Sequence, residues 1–209
     1  MNFMEKIIAY LKQTYHPLSI LVYGSYRDGT QNLNSDFDAL VISGSHDVFH
    51  DTGFLDSIQL DVFVYPESYF EKEYDCDAFL QILDAEVILD TENKGANLKN
   101  QVVSYVQNLP HKTDEEIQKG VDWCVKMLAR AQRGDAEGAF RWHWVLTDSL
   151  EIFCDKLHRL YLGPKKTLKW METEYPQAFA LYKKALTDFS LESLSGWIDY
   201  LQSSCQTSD

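Results

Sequence analysis

Over residues 3–15 the apolar positions Phe3, Met4, Ile7, Ile8 and Leu11 recur at helical spacing, which predicts an opening helix ended by Pro17. The pattern then shortens. Ser19–Tyr23, Asp36–Ser43 and Ile58–Tyr65 are brief runs rich in β-branched and aromatic residues, the composition of strands. The first run stops at Gly24-Ser25, so the first two read as strand, glycine turn, strand. Pro66-Glu67 opens a further helix in this reading, and Glu86–Asp90 forms a fourth short strand. Residues 1–95 therefore predict a small mixed β-sheet with accompanying helices.

The second half has a helical period throughout. A connecting helix is expected from Asn97 to Asn108, between the breaks at Lys94-Gly95 and Leu109-Pro110, so that residues 96–112 join two domains. Thr113-Asp-Glu-Glu116 has the form of a capping box and introduces Ile117, Val121, Cys124, Val125 and Leu128 on one face. Gly134-Asp135 interrupts that helix, a second runs from Ala136 towards Leu160, and Gly163-Pro164 starts a third. Two more are expected over Pro176–Asp188 and Leu191–Ser204, with residues 203–209 fraying. The fold class is α+β: a mixed sheet domain followed by an antiparallel helical bundle over residues 113–209.

With 209 residues and 45% hydrophobic content, the chain can bury a substantial core in one large or two small domains. It has no apolar run long enough for a membrane span, and its opening Met-Asn-Phe-Met-Glu-Lys lacks the apolar core of a signal peptide. Cys76, Cys124, Cys154 and Cys205 are scattered without a Cys-x-x-Cys pair, which favours buried reduced thiols over zinc or disulfides and a cytoplasmic location. A net charge of −13 repels polyanions, so long DNA or RNA is not an expected partner. A small molecule is, and an acidic surface suits a cationic one.

The chemistry concentrates in Tyr23–Ile42, where Gly24-Ser25 precedes the run Ser35-Asp36-Phe37-Asp38. Side chains alternate along a strand, so Asp36 and Asp38 project from one face. Two adjacent carboxylates repel each other unless a cation sits between them, and hard oxygen ligands beside a phosphate favour magnesium. A centre with two ions needs another acid, and Asp61, in a further strand-like run that could pair alongside, supplies it. Gly24 lets the backbone approach phosphates closely, and Ser25 offers a hydroxyl and an amide.

Gly24-Ser25, Gly29, Ser35-Asp36-Phe37-Asp38 and Asp61 together resemble the nucleotidyltransferase superfamily that includes DNA polymerase beta. The likeness is greatest to the small bacterial enzymes that adenylylate aminoglycosides or lincosamides, and to the minimal nucleotidyltransferase antitoxins. The resemblance implies transfer of a nucleoside monophosphate, with ATP as the default triphosphate, to a hydroxyl of a small acceptor, with release of pyrophosphate. It implies that Asp36 and Asp38 bind both magnesium ions, that Asp61 binds one and acts as general base, and that Ser25 and Ser35 hold triphosphate oxygens. Tyr161–Trp170 and Arg141–Leu150 resemble the helical domain of streptomycin and spectinomycin adenylyltransferases. That likeness makes Lys165 a ligand of the β- and γ-phosphates, with Lys166 beside it. The antitoxin likeness implies an alternative, a regulatory module that binds or modifies a protein partner. Trp142, Trp144 and Trp170 are expected mainly in the core and His143 and His158 in structural roles, while Glu137, Asp148 and Glu151 are candidates for an acceptor pocket.

Overall fold

The computed structural model describes residues 3–203. The chain divides into two compact units, Met1–Leu109 and Pro110–Asp209.

In the first unit, helix α1 (Phe3–Tyr15) buries Ile7, Ile8 and Leu11 of the expected stripe, together with Tyr15, while Met4 is half-buried and Phe3 exposed. It ends before Pro17: His16 takes a positive φ of 44°, and the proline instead opens strand β1 (Pro17–Val22). A five-residue helix, α2 (Gly24–Asp28), separates β1 from β2 (Phe37–Ser43). Then follow β3 (Phe49–Asp51), β4 (Phe54–Leu55), β5 (Ile58–Pro66) and β6 (Glu86–Asp90), before helix α3 (Lys94–Gln107).

The sheet runs β3-β5-β2-β1-β6, with β4 paired to β5. Its β2–β5 pair is parallel, and the other pairs are antiparallel. Because side chains alternate, each strand feeds two cores. One face packs Phe37, Ala39, Val41, Leu60, Val62 and Val64 with Ile7 and Leu11 of α1. The other gathers Leu21, Leu40 and Ile42 with Phe79, Ile82, Leu98 and Val102. Helix α3, expected as a connector, thus lends Leu98 and Val102 to the core of the first unit.

The stretch after β5 departs from expectation. Pro66-Glu67 opens a single 3₁₀ turn, Glu67–Tyr69, and a second 3₁₀ segment spans Cys76–Ile82 with a non-helical Phe79. The apolar residues here gather in a cluster of rings, Tyr65, Tyr69, Phe70, Tyr74 and Phe79, whose neighbouring centroids lie 4.9–6.4 Å apart. Packing around that cluster overrides the helical start signal.

The second unit contains α4 (Asp114–Ala131), α5 (Ala136–Lys156), α6 (Pro164–Glu174), α7 (Pro176–Asp188) and α8 (Leu191–Ser203). The capping box is formed: Glu116 N–H donates to Thr113 Oγ1 and Thr113 N–H donates back to Glu116 Oε2 at 2.8 Å. Helix α5 stops at Lys156, short of Leu160. The core centres on fully buried Trp197, whose Nε1–H donates to buried Ser149 Oγ at 2.9 Å. Tyr182 O–H likewise donates to the Leu146 carbonyl at 2.8 Å.

Cys124 and Cys154 are buried free thiols, as expected, but Cys76 is only half-buried. Cys205 and the expected fraying beyond Ser203 lie outside the described residues. Among the described residues, no helix is long and apolar enough to cross a membrane.

Candidate active site

The register of β2 against β5 builds the site. Asp38 and Asp61 are partners across the parallel pair, one on each strand. Their neighbours Phe37, Ala39, Leu60 and Val62 point into the core beneath α1, so the carboxylates emerge from the opposite face. Asp36 lies one residue ahead of β2, placed by a tight loop. In that loop Ser35 N–H donates to the Asn32 carbonyl at 3.0 Å, Asn32 N–H donates to Ser35 Oγ at 2.9 Å, and Asn34 N–H donates to Asn32 Oδ1 at 2.8 Å. Asp36, Asp38 and Asp61 each offer an oxygen within 4.8 Å of the other two.

The glycine turn closes on the same point. Tyr23 N–H donates to the Asp38 carbonyl at 3.1 Å, bringing the end of β1 beside β2. Gly24 has a φ of 69°, and a Cβ built on it would stand 2.0 Å from Asp38 Oδ2. Glycine is therefore required twice, for the left-handed backbone and for the space that the carboxylate fills. Ser25 is buried in α2, and Gly29, in the left-handed region, donates its N–H to the Ser25 carbonyl.

Residues 4–93 match a family of known proteins, the nucleotidyltransferase domain. The matched residues fall within the first unit. Across the longer chain, a nucleotidyltransferase-like protein from Exiguobacterium sibiricum 255-15 is similar at 18% identity, with 96% of this chain and 75% of that one covered and a TM-score of 0.40. A toxin–antitoxin solved with AMP-PNP is similar at 22% identity over 58% of this chain and 97% of that one, with a TM-score of 0.37. A mutant of the MntA-HpeT toxin–antitoxin shares 18% identity over the same proportions, with a TM-score of 0.35. No curated protein matches the chain.

Around the three aspartates the charge is concentrated and negative. Burial first, and then the charges of Asp61 and Asp38, push the Tyr23 hydroxyl above its ordinary pKa. Burial and Asp36 do the same to Tyr26. Three carboxylates at this separation repel one another, and an all-oxygen donor set of this kind fits a hard divalent cation. The bare backbone at Gly24 leaves room for that cluster, so the residues present fit a hard divalent cation.

The spacing of the sequence misses one member of this surface. His50 on β3 brings Nε2 to 2.5 Å from Asp61 Oδ1, and its ring stacks on Phe63 with centroids 4.0 Å apart and planes within 6°. The long-range pairing of β3 with β5 creates this contact, and a three-residue strand leaves little local signal.

Lys165 and Lys166 belong to the second unit, in the first turn of α6 after Gly163-Pro164. Lys165 is exposed and Lys166 half-buried. The tryptophans divide. Trp142 is buried and stacks on Phe189. Trp170 is half-buried under the Arg159 guanidinium, 4.2 Å from its ring. Trp144, expected in the core, is exposed and donates Nε1–H to Asp148 at 2.7 Å. A tryptophan whose N–H reaches a surface carboxylate can stay at the solvent edge without an unsatisfied donor. His143 lies edge-on to Phe189, and His158 to His111. Of the other acids expected near an acceptor, Glu151 pairs with Lys112, and Glu137 with Arg133 and Arg141.

Proposed function

We propose that this chain transfers a nucleoside monophosphate from a nucleoside triphosphate to the hydroxyl of a small-molecule acceptor and releases pyrophosphate. The observation that carries the reading is the convergence of Asp36, Asp38 and Asp61 to within 4.8 Å of one another beside Gly24, in a nucleotidyltransferase domain. Two magnesium ions held by these carboxylates would neutralise charge on the attacked phosphorus and on departing pyrophosphate. Gly24 admits the triphosphate close to the backbone, and the Ser25 and Ser35 hydroxyls hold its oxygens. Asp61 takes the acceptor's hydroxyl proton as that oxygen bonds to the α-phosphorus and the bond to the β-phosphate breaks. Lys165 and Lys166 neutralise the β- and γ-phosphates. ATP is the proposed donor, and the net charge of −13 supports a cationic acceptor, for which an aminoglycoside-like compound is the model.

The test is incubation with labelled nucleoside triphosphates, magnesium and a panel of polyols, aminoglycosides and proteins. Label on a small molecule supports the reading, and label on a protein moves the acceptor class to a macromolecular partner. Asp61→Asn should lower turnover by a factor on the order of 10² with a smaller loss of nucleotide affinity. Wild-type turnover in that variant would remove Asp61 from the site.

A further inference from the structure

We propose that His50 is a positioning residue for Asp61, an inference that rests on the cation-binding reading of the aspartate cluster. Asp61 projects from β5 with its side chain about one-third exposed, beside two like charges that repel it. Nothing intrinsic to an aspartate fixes the rotation of its carboxylate in such a place. The bond from His50 does. A carboxylate only accepts, so the imidazole presents Nε2–H to Oδ1 at 2.5 Å, which leaves Oδ2 for a ligand.

His50 is itself held from two sides. Its ring lies flat on Phe63, its cross-strand partner in the β3–β5 ladder, at 4.0 Å between centroids. Its neighbour Asp51 points to the other face, where it is buried and accepts the Tyr15 hydroxyl at 2.7 Å and the Gly53 N–H at 2.9 Å. That anchor pins β3 to α1. The order of dependence is thus α1, β3, His50, Asp61: a buried hydrogen bond on one face of the sheet sets a carboxylate on the other. Groups that orient a metal-binding carboxylate contribute roughly 10- to 100-fold to metal affinity or activity.

Two substitutions divide the ring from the hydrogen bond. His50→Phe keeps a ring to stack on Phe63 and removes the donor, whereas His50→Gln keeps an N–H donor and removes the ring. Manganese binding to the full chain with a non-hydrolysable ATP analogue, read by electron paramagnetic resonance, should weaken roughly 10- to 100-fold in His50→Phe. In His50→Gln it should return to within a few-fold of wild type, and turnover should follow the same order. Wild-type affinity in His50→Phe overturns the proposal, and so does an equal loss in both variants. Asp36→Asn serves as the reference. If it binds manganese as the wild type does, the cation site itself fails and the role of His50 falls with it. If Asp36→Asn loses binding and His50→Phe does not, only the role of His50 fails.

Discussion

The centre of the helical unit and the aspartate cluster of the sheet unit treat polar side chains in opposite ways. At the centre of the helical unit the polar side chains are paired: Trp197 donates to Ser149, Ser149 donates to the Leu146 carbonyl, and Tyr182 donates to the same carbonyl. In the sheet unit three carboxylates of like charge face one another across the β2–β5 pair. The first arrangement, around Trp197, lowers the free energy of the folded chain by itself, because each of these three donors has an acceptor. The second raises it until something cationic arrives. The contrast teaches where binding free energy is stored: in repulsion that a ligand relieves, on a scaffold held by contacts made elsewhere.

The sharpest way to probe the contrast is to injure each unit at its centre. Trp197→Ala removes the largest fully buried side chain and should cost about 3–5 kcal/mol in denaturant titration. Asp36→Asn and Asp38→Asn should do the reverse. Cation-dependent nucleotide binding should collapse and turnover fall by a factor on the order of 10² to 10³, while the melting temperature holds or rises. Calorimetry with and without magnesium, together with thermal melting, reads both halves of that expectation. A clear drop in melting temperature would mean that the aspartates are structural, as Ser149 is, and the contrast would be lost.

Lys165→Ala asks whether the helical unit has a hand on the nucleotide. ATP affinity should fall roughly tenfold, and AMP affinity, without β- and γ-phosphates to meet, should change little. Equal ATP affinities at matched low and moderate salt would confine nucleotide binding to the sheet unit. The smallest effect is at the start of α4. Hydrogen bonds from the Thr113 backbone and hydroxyl hold the Glu116 carboxyl below its ordinary pKa. Their contribution is therefore present above the ordinary glutamate value and is lost as pH falls through the lowered one. Thr113→Ala should depress the melting temperature slightly at neutral pH, and the difference should narrow at strongly acid pH without vanishing, because the bond from Glu116 N–H to Thr113 Oγ1 does not titrate.

What the sequence made legible follows the range of the interactions involved. Thr113 and Glu116 announce α4 because a capping box is contained in four residues, and Ile7, Ile8 and Leu11 announce α1 because their period is local. Asp36, Asp38 and Asp61 were readable because alternation along two apolar runs already selects a face. His50 was not. Its two neighbours in β3 are an exposed phenylalanine and a buried aspartate, which inverts the usual pattern, and its partner is eleven residues away on another strand. The helix expected at Pro66 failed for a related reason. Tyr69, Phe70, Tyr74 and Phe79 are drawn to one cluster, and that demand outweighs a local start signal.

Gly24 has a further consequence, for the mutational history open to this chain. Any base change that alters a glycine codon's meaning without stopping translation introduces a residue with a Cβ, and here that atom falls on Asp38 Oδ2. A mutation that shortened residue 38 to make room would delete a carboxylate of the cluster. Neither order of two single steps keeps both features intact on the way. Position 24 is therefore a dead end for neutral drift for as long as the aspartate cluster is under selection. In a saturation library scored first for folding and then for nucleotidyl transfer, substitutions at Gly24 should survive the first screen more often than the second.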